Sequence, residues 1–181
     1  MKVSVYIATS LDGFISRADD SLDWLDEANA SVPNNEDCGY GAFISSVDVL
    51  VMGRKTYEKV LSFGQWPYGP KPVVVLSSRP IEFPPQLPDN VTHSSDSPQA
   101  LYDRLSREGV NHIYLDGGTT IRGFLVLGLV DEITITQIPV LIGEGRPLFG
   151  PLKHDITLNL IESHSFDFGF VQSKYSVQQS R

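Results

Sequence analysis

The chain has 181 residues, 41% of them hydrophobic and 20% charged, with a formal net charge of -8. That length and apolar content suit one globular domain with a sizeable core, and the acidic balance argues against nucleic acid and anionic membranes as partners. The opening MKVSVYIATSLDGFIS has one lysine and an apolar run broken by Ser4, Thr9 and Ser10, which excludes a membrane span or signal peptide there and leads us to expect a cytoplasmic protein. The single cysteine, Cys38, has no partner for an internal disulfide and fits a reducing compartment as a small semi-buried residue.

VSVYIA (3–8) is a β-branched run that predicts a first strand. VDVLVMG (47–53) predicts a second, and Tyr57 to Leu61, after Thr56, has a helical pattern. PVVVLSS (72–78) is a third strand, followed by a proline-rich loop, EFPPQLPDN (82–90). SPQALYDRLSREG (97–109) carries a helix cap at Ser97, proline at the first helical position and a glycine stop at Gly109. HIYLDGG (112–118) is a fourth strand, TTIRGFLVLGL (119–129) a helix after a glycine pair, and EITITQIPVL (132–141) a fifth strand. The tail alternates apolar and polar residues on either side of Asp167-Phe168-Gly169, the pattern of an antiparallel hairpin. Near-continuous apolar strands alternating with helices imply an α/β fold whose mostly parallel sheet is covered on both faces.

In open α/β sheets, ligands bind outside the carboxyl ends of the strands. Here Gly53, Arg54, Lys55 and Thr56 follow the second strand, Ser77, Ser78 and Arg79 the third, and Asp116 to Thr120 the fourth. Where a strand gives way to a helix, backbone N–H groups are unpaired, and cations beside them make an anion site. Gly117 and Gly118 permit close backbone approach while Thr119 and Thr120 supply hydroxyls at a helix start, which suits a pyrophosphate. Arg54 with Ser77, Ser78 and Arg79 would form a second, more cationic pocket for a monoester phosphate. Singly, a glycine pair reads as a tight turn and an Arg-Lys pair as solvated surface; at successive strand ends they point to a dinucleotide with an additional phosphate. The first strand lacks the G-x-G-x-x-G of Rossmann folds, and Asp48 replaces the leading glycine that would make GRKT a P-loop, so a nucleotide kinase is not expected.

IATSLDGFI, VMGRKTYE, VLSSRP, LDGGTTIRGFL and DEITITQIPVLIGEGRPLF, in this order and spacing, resemble the dihydrofolate reductase superfamily over nearly the whole chain. The sequence is most similar to the branch related to the reductase domain of the riboflavin-biosynthesis deaminase-reductase. The resemblance implies a mostly parallel central sheet flanked by helices, a C-terminal antiparallel hairpin, and NADPH as cofactor. By resemblance, Gly53, Arg54, Lys55 and Thr56 hold the pyrophosphate and adenosine side, and Ser77, Ser78 and Arg79 the 2′-phosphate and adenine. Gly117, Gly118, Thr119, Thr120 and Ile121 wrap the pyrophosphate and ribose, while Ala8 and Ile15 match backbone contacts to the nicotinamide carboxamide. The implied activity is hydride transfer to a small heterocyclic or ribosyl-linked substrate, of the 5-amino-6-(5-phosphoribosylamino)uracil reductase type. Dihydrofolate reduction and a non-catalytic NADP-binding role are the alternatives. The family often forms dimers, and a hairpin exposing Phe166, Phe168 and Phe170 would suit a homodimer.

On the substrate side, the resemblance makes Asp12, in a loop beside the nicotinamide, the first candidate for the substrate or proton contact, with Glu27 and Thr136 as the other candidate catalytic residues, although Asp-Gly equally suits a turn. SLDWLDEAN brings Trp24 and Glu27 to the region where dihydrofolate reductases place their substrate carboxylate. Leu22-Asp23-Trp24 replaces the Leu-Pro-Trp common there, which counts against folate, and Trp24 reads either as a lid or as a core anchor. Thr136 matches a threonine facing the pterin, and Glu144 and Arg146 in IGEGRPLF form a candidate substrate loop. His93, His112, His154 and His164 have no metal-like spacing, so no metal is expected.

Overall fold

The computed structural model describes residues 1–178. In chain order it contains β1 (Lys2–Ser10), β2 (Phe14–Ser16), α1 (Asp23–Asn29), α2 (Tyr40–Ser46), β3 (Val49–Gly53), α3 (Arg54–Leu61), β4 (Val73–Leu76) and β5 (Val91–Ser94). There follow α4 (Pro98–Arg107), β6 (His112–Asp116), α5 (Gly118–Leu125), β7 (Glu132–Ile138), β8 (Arg146–Pro147), β9 (Leu158–Ser165) and β10 (Val171–Val177). Eight strands form one sheet in the order β5-β4-β3-β6-β1-β7-β10-β9, and β2 pairs separately with β8. The six strands from β5 to β7 run parallel, whereas β10 runs antiparallel to both β7 and β9.

Side-chain alternation gives the sheet two different faces. Val3 and Val5 of β1, Ile113 and Leu115 of β6 and Val49 and Val51 of β3 turn to one face, where Leu101 and Leu105 of α4 and Ile121 and Phe124 of α5 cover them. The intervening residues, Leu50, Met52, Val73, Val75 and Tyr114, turn to the other face with Tyr57 of α3, and the partly buried Tyr6, Tyr40 and Phe43 join them. Rings dominate this second, aromatic face: Tyr6 stacks on Phe43 at 4.7 Å, and Phe43 meets Tyr114 edge-on at 5.0 Å. Further along it, Trp24 of α1 is buried with Ile138 and Phe170.

The expected strands and the hairpin are present, with different limits. The fifth strand stops at Ile138 instead of reaching residue 141, because Pro139 has no N–H and the next N–H, of Val140, turns back to the Ile138 carbonyl at 2.8 Å. The third ends at Leu76 and the fourth at Asp116, so α5 already begins at Gly118. Helices α1 and α2, and the short strands β2, β5 and β8, are additions to the sequence reading. The hairpin aromatics differ in placement: Phe170 is buried, and Phe166 and Phe168 are half-buried in a stack that packs toward Trp24. The apolar side chains the hairpin exposes are instead Leu160, Ile161 and Val171.

Candidate active site

β3 and β6 are neighbours in the sheet, and each passes directly into a helix, so the N-termini of α3 and α5 lie side by side. Their approach is tight. A Cβ on Gly117, whose φ is +88°, would stand 2.1 Å from Thr56 Oγ1, and one on Gly53 would stand 3.1 Å from Thr120 Oγ1. Neither helix has a side-chain cap, in contrast to α4, where Ser97 Oγ accepts from the Ala100 N–H at 3.3 Å. Two sets of first-turn N–H groups therefore have no side-chain partner, and the partial positive charge of two helix dipoles converges on one spot.

This spot opens into a cleft of about 940 Å³ across the strand ends. Gly53 to Thr56, Ser77, Ser78 and Gly117 to Thr120 all line it, as do Ala8, Ile15 and Arg146. The serine side is already organised: the Arg54 guanidinium donates to Ser77 Oγ at 3.0 Å and to the carbonyls of Arg79 and Pro80 at 2.8 and 2.7 Å. Arg54 thus braces the 77–80 turn that forms the pocket wall. Arg79 contributes this carbonyl and lies off the cleft lining, and Ile121 is a fully buried core residue beneath the cradle.

A second arm of the cleft runs over the aromatic face. Its floor is Tyr6 and Ala8 of β1 with Tyr114 and Asp116 of β6, and its walls are Lys59, Val60 and Phe63 on one side and Leu22 and Leu25 on the other. Burial pushes the Asp116 carboxyl up to about 6, against the weaker opposing pull of the Gly117 N–H at 2.8 Å and of the Tyr68 hydroxyl. Burial also raises Tyr68, Tyr114 and Tyr40, the last to about 12, so the phenols around this acid stay protonated. A carboxyl balanced near neutrality among fixed phenols can hold a proton and release it. Sequence places Asp116 at a strand end but gives it no role, because LDGG offers nothing local to mark an acid; its signal is position, at the end of a buried strand and in the lining of the cleft.

The mouth is framed by the small β2–β8 sheet, which carries Ile15, Ser16, Arg146 and Pro147 into the cleft. Arg146 pairs with Asp20 at 3.0 Å. Asp12 lies behind this sheet and off the cleft lining. It accepts from Ser10 Oγ at 2.6 Å and from the Gly143 and Ile142 N–H groups at 2.8 and 3.3 Å, bonds that hold its carboxyl below the usual carboxylate range. Four other residues proposed from sequence also stand off the cleft lining. Trp24 is a buried core residue, only 3% exposed, and Glu27 and Glu144 are exposed. Thr136 is buried, its hydroxyl taking a hydrogen bond from Gln172 Nε2 at 2.9 Å. Among the described residues, no group of three or more His, Cys, Asp or Glu is placed to hold a metal ion, and no helix is long and apolar enough to cross a membrane.

The sheet order, the closing hairpin and the strand-end cleft define a reductase-type domain of dihydrofolate-reductase-like fold. The chain belongs to the RibD C-terminal domain family, which it matches over residues 1–171. It is 36% identical to the Bacillus subtilis protein YwjB over 168 residues, covering 91% of this chain and 92% of that one. The crystal structure of a protein from Shewanella sp. PV-4 superimposes with a TM-score of 0.91 at 42% identity, over 98% of this chain and 99% of that one. The Thermotoga maritima diaminohydroxyphosphoribosylaminopyrimidine deaminase/5-amino-6-(5-phosphoribosylamino)uracil reductase shares the fold, with a TM-score of 0.69 at 13% identity over 97% of this chain and 56% of that one.

Proposed function

We propose that this chain is an NADPH-dependent reductase that transfers hydride to a small heterocyclic or ribosyl-linked substrate. The observation that carries this reading is the continuity of the cleft, which joins a cradle of two uncapped helix N-termini to a slot floored by a proton-holding acid. The cradle fits a dinucleotide: Gly117, by carrying no side chain, lets Thr56 pack against it so that the uncapped N-termini of α3 and α5 sit together, and Ser77, Ser78 and Lys55 line the same cleft as a second anion position. A nicotinamide cofactor, when bound, supplies the hydride. The chain's own residues do the rest: Ala8 and Ile15 bound the reacting end, Leu22, Leu25 and Val60 exclude water, and Asp116 delivers a proton as negative charge develops on the acceptor.

The reading also includes a homodimer paired through β9, the exposed edge strand that presents Leu160 and Ile161; a monomer in light scattering removes that part. The reductase reading is tested by titrating the protein with NADPH and NADH while following tryptophan fluorescence. Preferential binding of NADPH is expected, followed by single-turnover oxidation when pyrimidinone substrates are added. Binding of neither cofactor to folded protein overturns it.

A further inference from the structure

The cleft does not end at the cradle: past β4 it reaches the end of β5, where Ser95, Asp96, Ser97 and Pro98 join its lining. Gly53, Leu76 and Ser94 are register partners at the ends of three parallel neighbours, so β3, β4 and β5 present the residues that follow them in one row. At about 4.8 Å per strand, the end of β5 stands roughly 12 Å from the midpoint between β6 and β3, where the two uncapped helix N-termini meet. The row therefore has an order: the cradle at β6 and β3, the Ser77-Ser78 anion position after β4, and Asp96 after β5. In a dinucleotide the ribose 2′ position lies between the pyrophosphate and the base. A molecule with its pyrophosphate on the cradle and its additional phosphate at Ser77 and Ser78 brings its base to β5.

Asp96 has an acceptor free to meet that base. Its Oδ2 accepts from Ser94 Oγ at 2.8 Å and from Arg104 Nε at 3.0 Å, whereas Oδ1 takes no hydrogen bond among the described residues. Ser94 first, and Arg104 after it, hold the carboxyl below the usual carboxylate range, so at neutral pH Asp96 accepts and does not donate. Helix capping does not account for the group, because Ser97 caps α4. Two donors on one oxygen fix the direction of the other, and Arg104 offsets the negative charge that would otherwise oppose a phosphate at Ser77 and Ser78. Leu76 and Pro98, both half-buried, add apolar surface to the same lining. A flat ring with an N–H₂ group on its edge matches an oriented anionic acceptor flanked by apolar side chains.

We propose that Asp96 selects the base of the dinucleotide, its Oδ1 accepting the exocyclic amine of adenine while Leu76 and Pro98 flank the ring. The inference rests on the reductase reading above, and adds to it the residue that distinguishes adenine from a base with a carbonyl oxygen in place of that amine.

The experiment measures, by isothermal titration calorimetry, the binding of NADP⁺, of nicotinamide hypoxanthine dinucleotide phosphate and of NAD⁺. In the hypoxanthine probe a carbonyl oxygen replaces the amine and would face the carboxylate. Wild type should bind NADP⁺ about 5- to 10-fold more tightly than this probe, the gain expected of one hydrogen bond to a charged group at a partly exposed site. Asp96→Ala should abolish the preference by weakening NADP⁺, and Asp96→Asn, which keeps the shape and a neutral acceptor, should leave a smaller one. Absence of the preference in wild type, or its full persistence in either variant, overturns the inference. Equal weakening of both dinucleotides in Asp96→Ala also overturns it, since that would make the residue a structural brace only. A changed NADP⁺-to-NAD⁺ ratio with the hypoxanthine discrimination intact would turn the carboxylate toward the ribose, and overturns it too. Failure of wild type to bind NADP⁺ at all removes the reductase reading itself, whereas normal NADP⁺ binding without discrimination removes only the assignment of Asp96.

Discussion

Replacing Asp116 by Asn should stabilise the protein at alkaline pH and impair its chemistry. Burial raises this carboxyl from 3.8 to about 6, so the folded state resists its ionisation while the unfolded state does not. A raised folded value means that the folded protein holds the proton where the unfolded chain has lost it. The resulting penalty is small below the unfolded value, grows as pH rises between the two values, and is complete above the folded one. The interval corresponds to about 3 kcal/mol at pH 8 and to less than about 1 kcal/mol at pH 4. Asn keeps the Oδ1 that accepts from the Gly117 N–H at 2.8 Å, so the local turn should persist. Melting temperatures of wild type and Asp116→Asn, measured from pH 4 to 8, should diverge by roughly 6 to 12 °C at the alkaline end, at about 2–4 °C per kcal/mol. Other titrating groups cancel in the difference. Single-turnover hydride transfer in the variant should fall by about 10²- to 10⁴-fold. A melting difference that does not change with pH would refute the account, since it would mean that Asp116 is ionised at no cost to the fold.

Three further substitutions examine the rest of the cleft. Gly117→Ala places a Cβ 2.1 Å from Thr56 Oγ1 at a φ of +88°, and should cost about 2–4 kcal/mol in denaturant unfolding, part of which Thr56→Ala recovers. Asp12→Ala should accelerate hydrogen exchange at the Ile142 and Gly143 amides and lower the melting temperature at neutral pH. Because the folded Asp12 carboxyl is held below its ordinary value, chiefly by Ser10, its contribution is present above that ordinary value and disappears as pH falls through the depressed one. Arg54→Ala should weaken NADPH about 10-fold more than NADH, through loss of its charge and of the brace on the 77–80 turn; equal losses would remove the extra phosphate from this pocket.

The parts of the fold that sequence reveals are those whose signal is local. Buried parallel strands must be apolar on both faces, so VLVMG, VVVL and HIYLD stand out, and α4 carries its own cap at Ser97 and its stop at Gly109. Helices α1 and α2 have seven residues each, no side-chain caps and one buried residue between them, Trp24, so little in their sequence marks a helical period. Strands β2 and β8, of three and two residues, exist only because each pairs with the other. The same division runs through the site. Strand-end residues were legible because topology alone puts them at the cleft, and the glycines, serines and threonines there need no neighbour to show what they can bind.

What was not legible depends on which face of a strand its surroundings leave uncovered. Thr136 and Asp116 both lie on strands of the aromatic face, yet Gln172 of β10 donates to the Thr136 hydroxyl and Thr136 stays off the cleft, while Asp116 at the end of β6 lines the cleft together with Phe63 and Tyr68. Contacts made by residues far apart in the chain leave the Thr136 hydroxyl bound within the sheet, while burial at the end of β6 lifts the Asp116 carboxyl to about 6. Asp12 makes the complementary case. Its neighbours in sequence suit a turn, and the structure gives that turn a second duty, as the fastening of the 142–143 backbone behind the β2–β8 sheet. Asp12 beside the cleft thus shapes the mouth, and on the reductase reading proposed above it is Asp116, in the lining of the cleft, that would supply the proton.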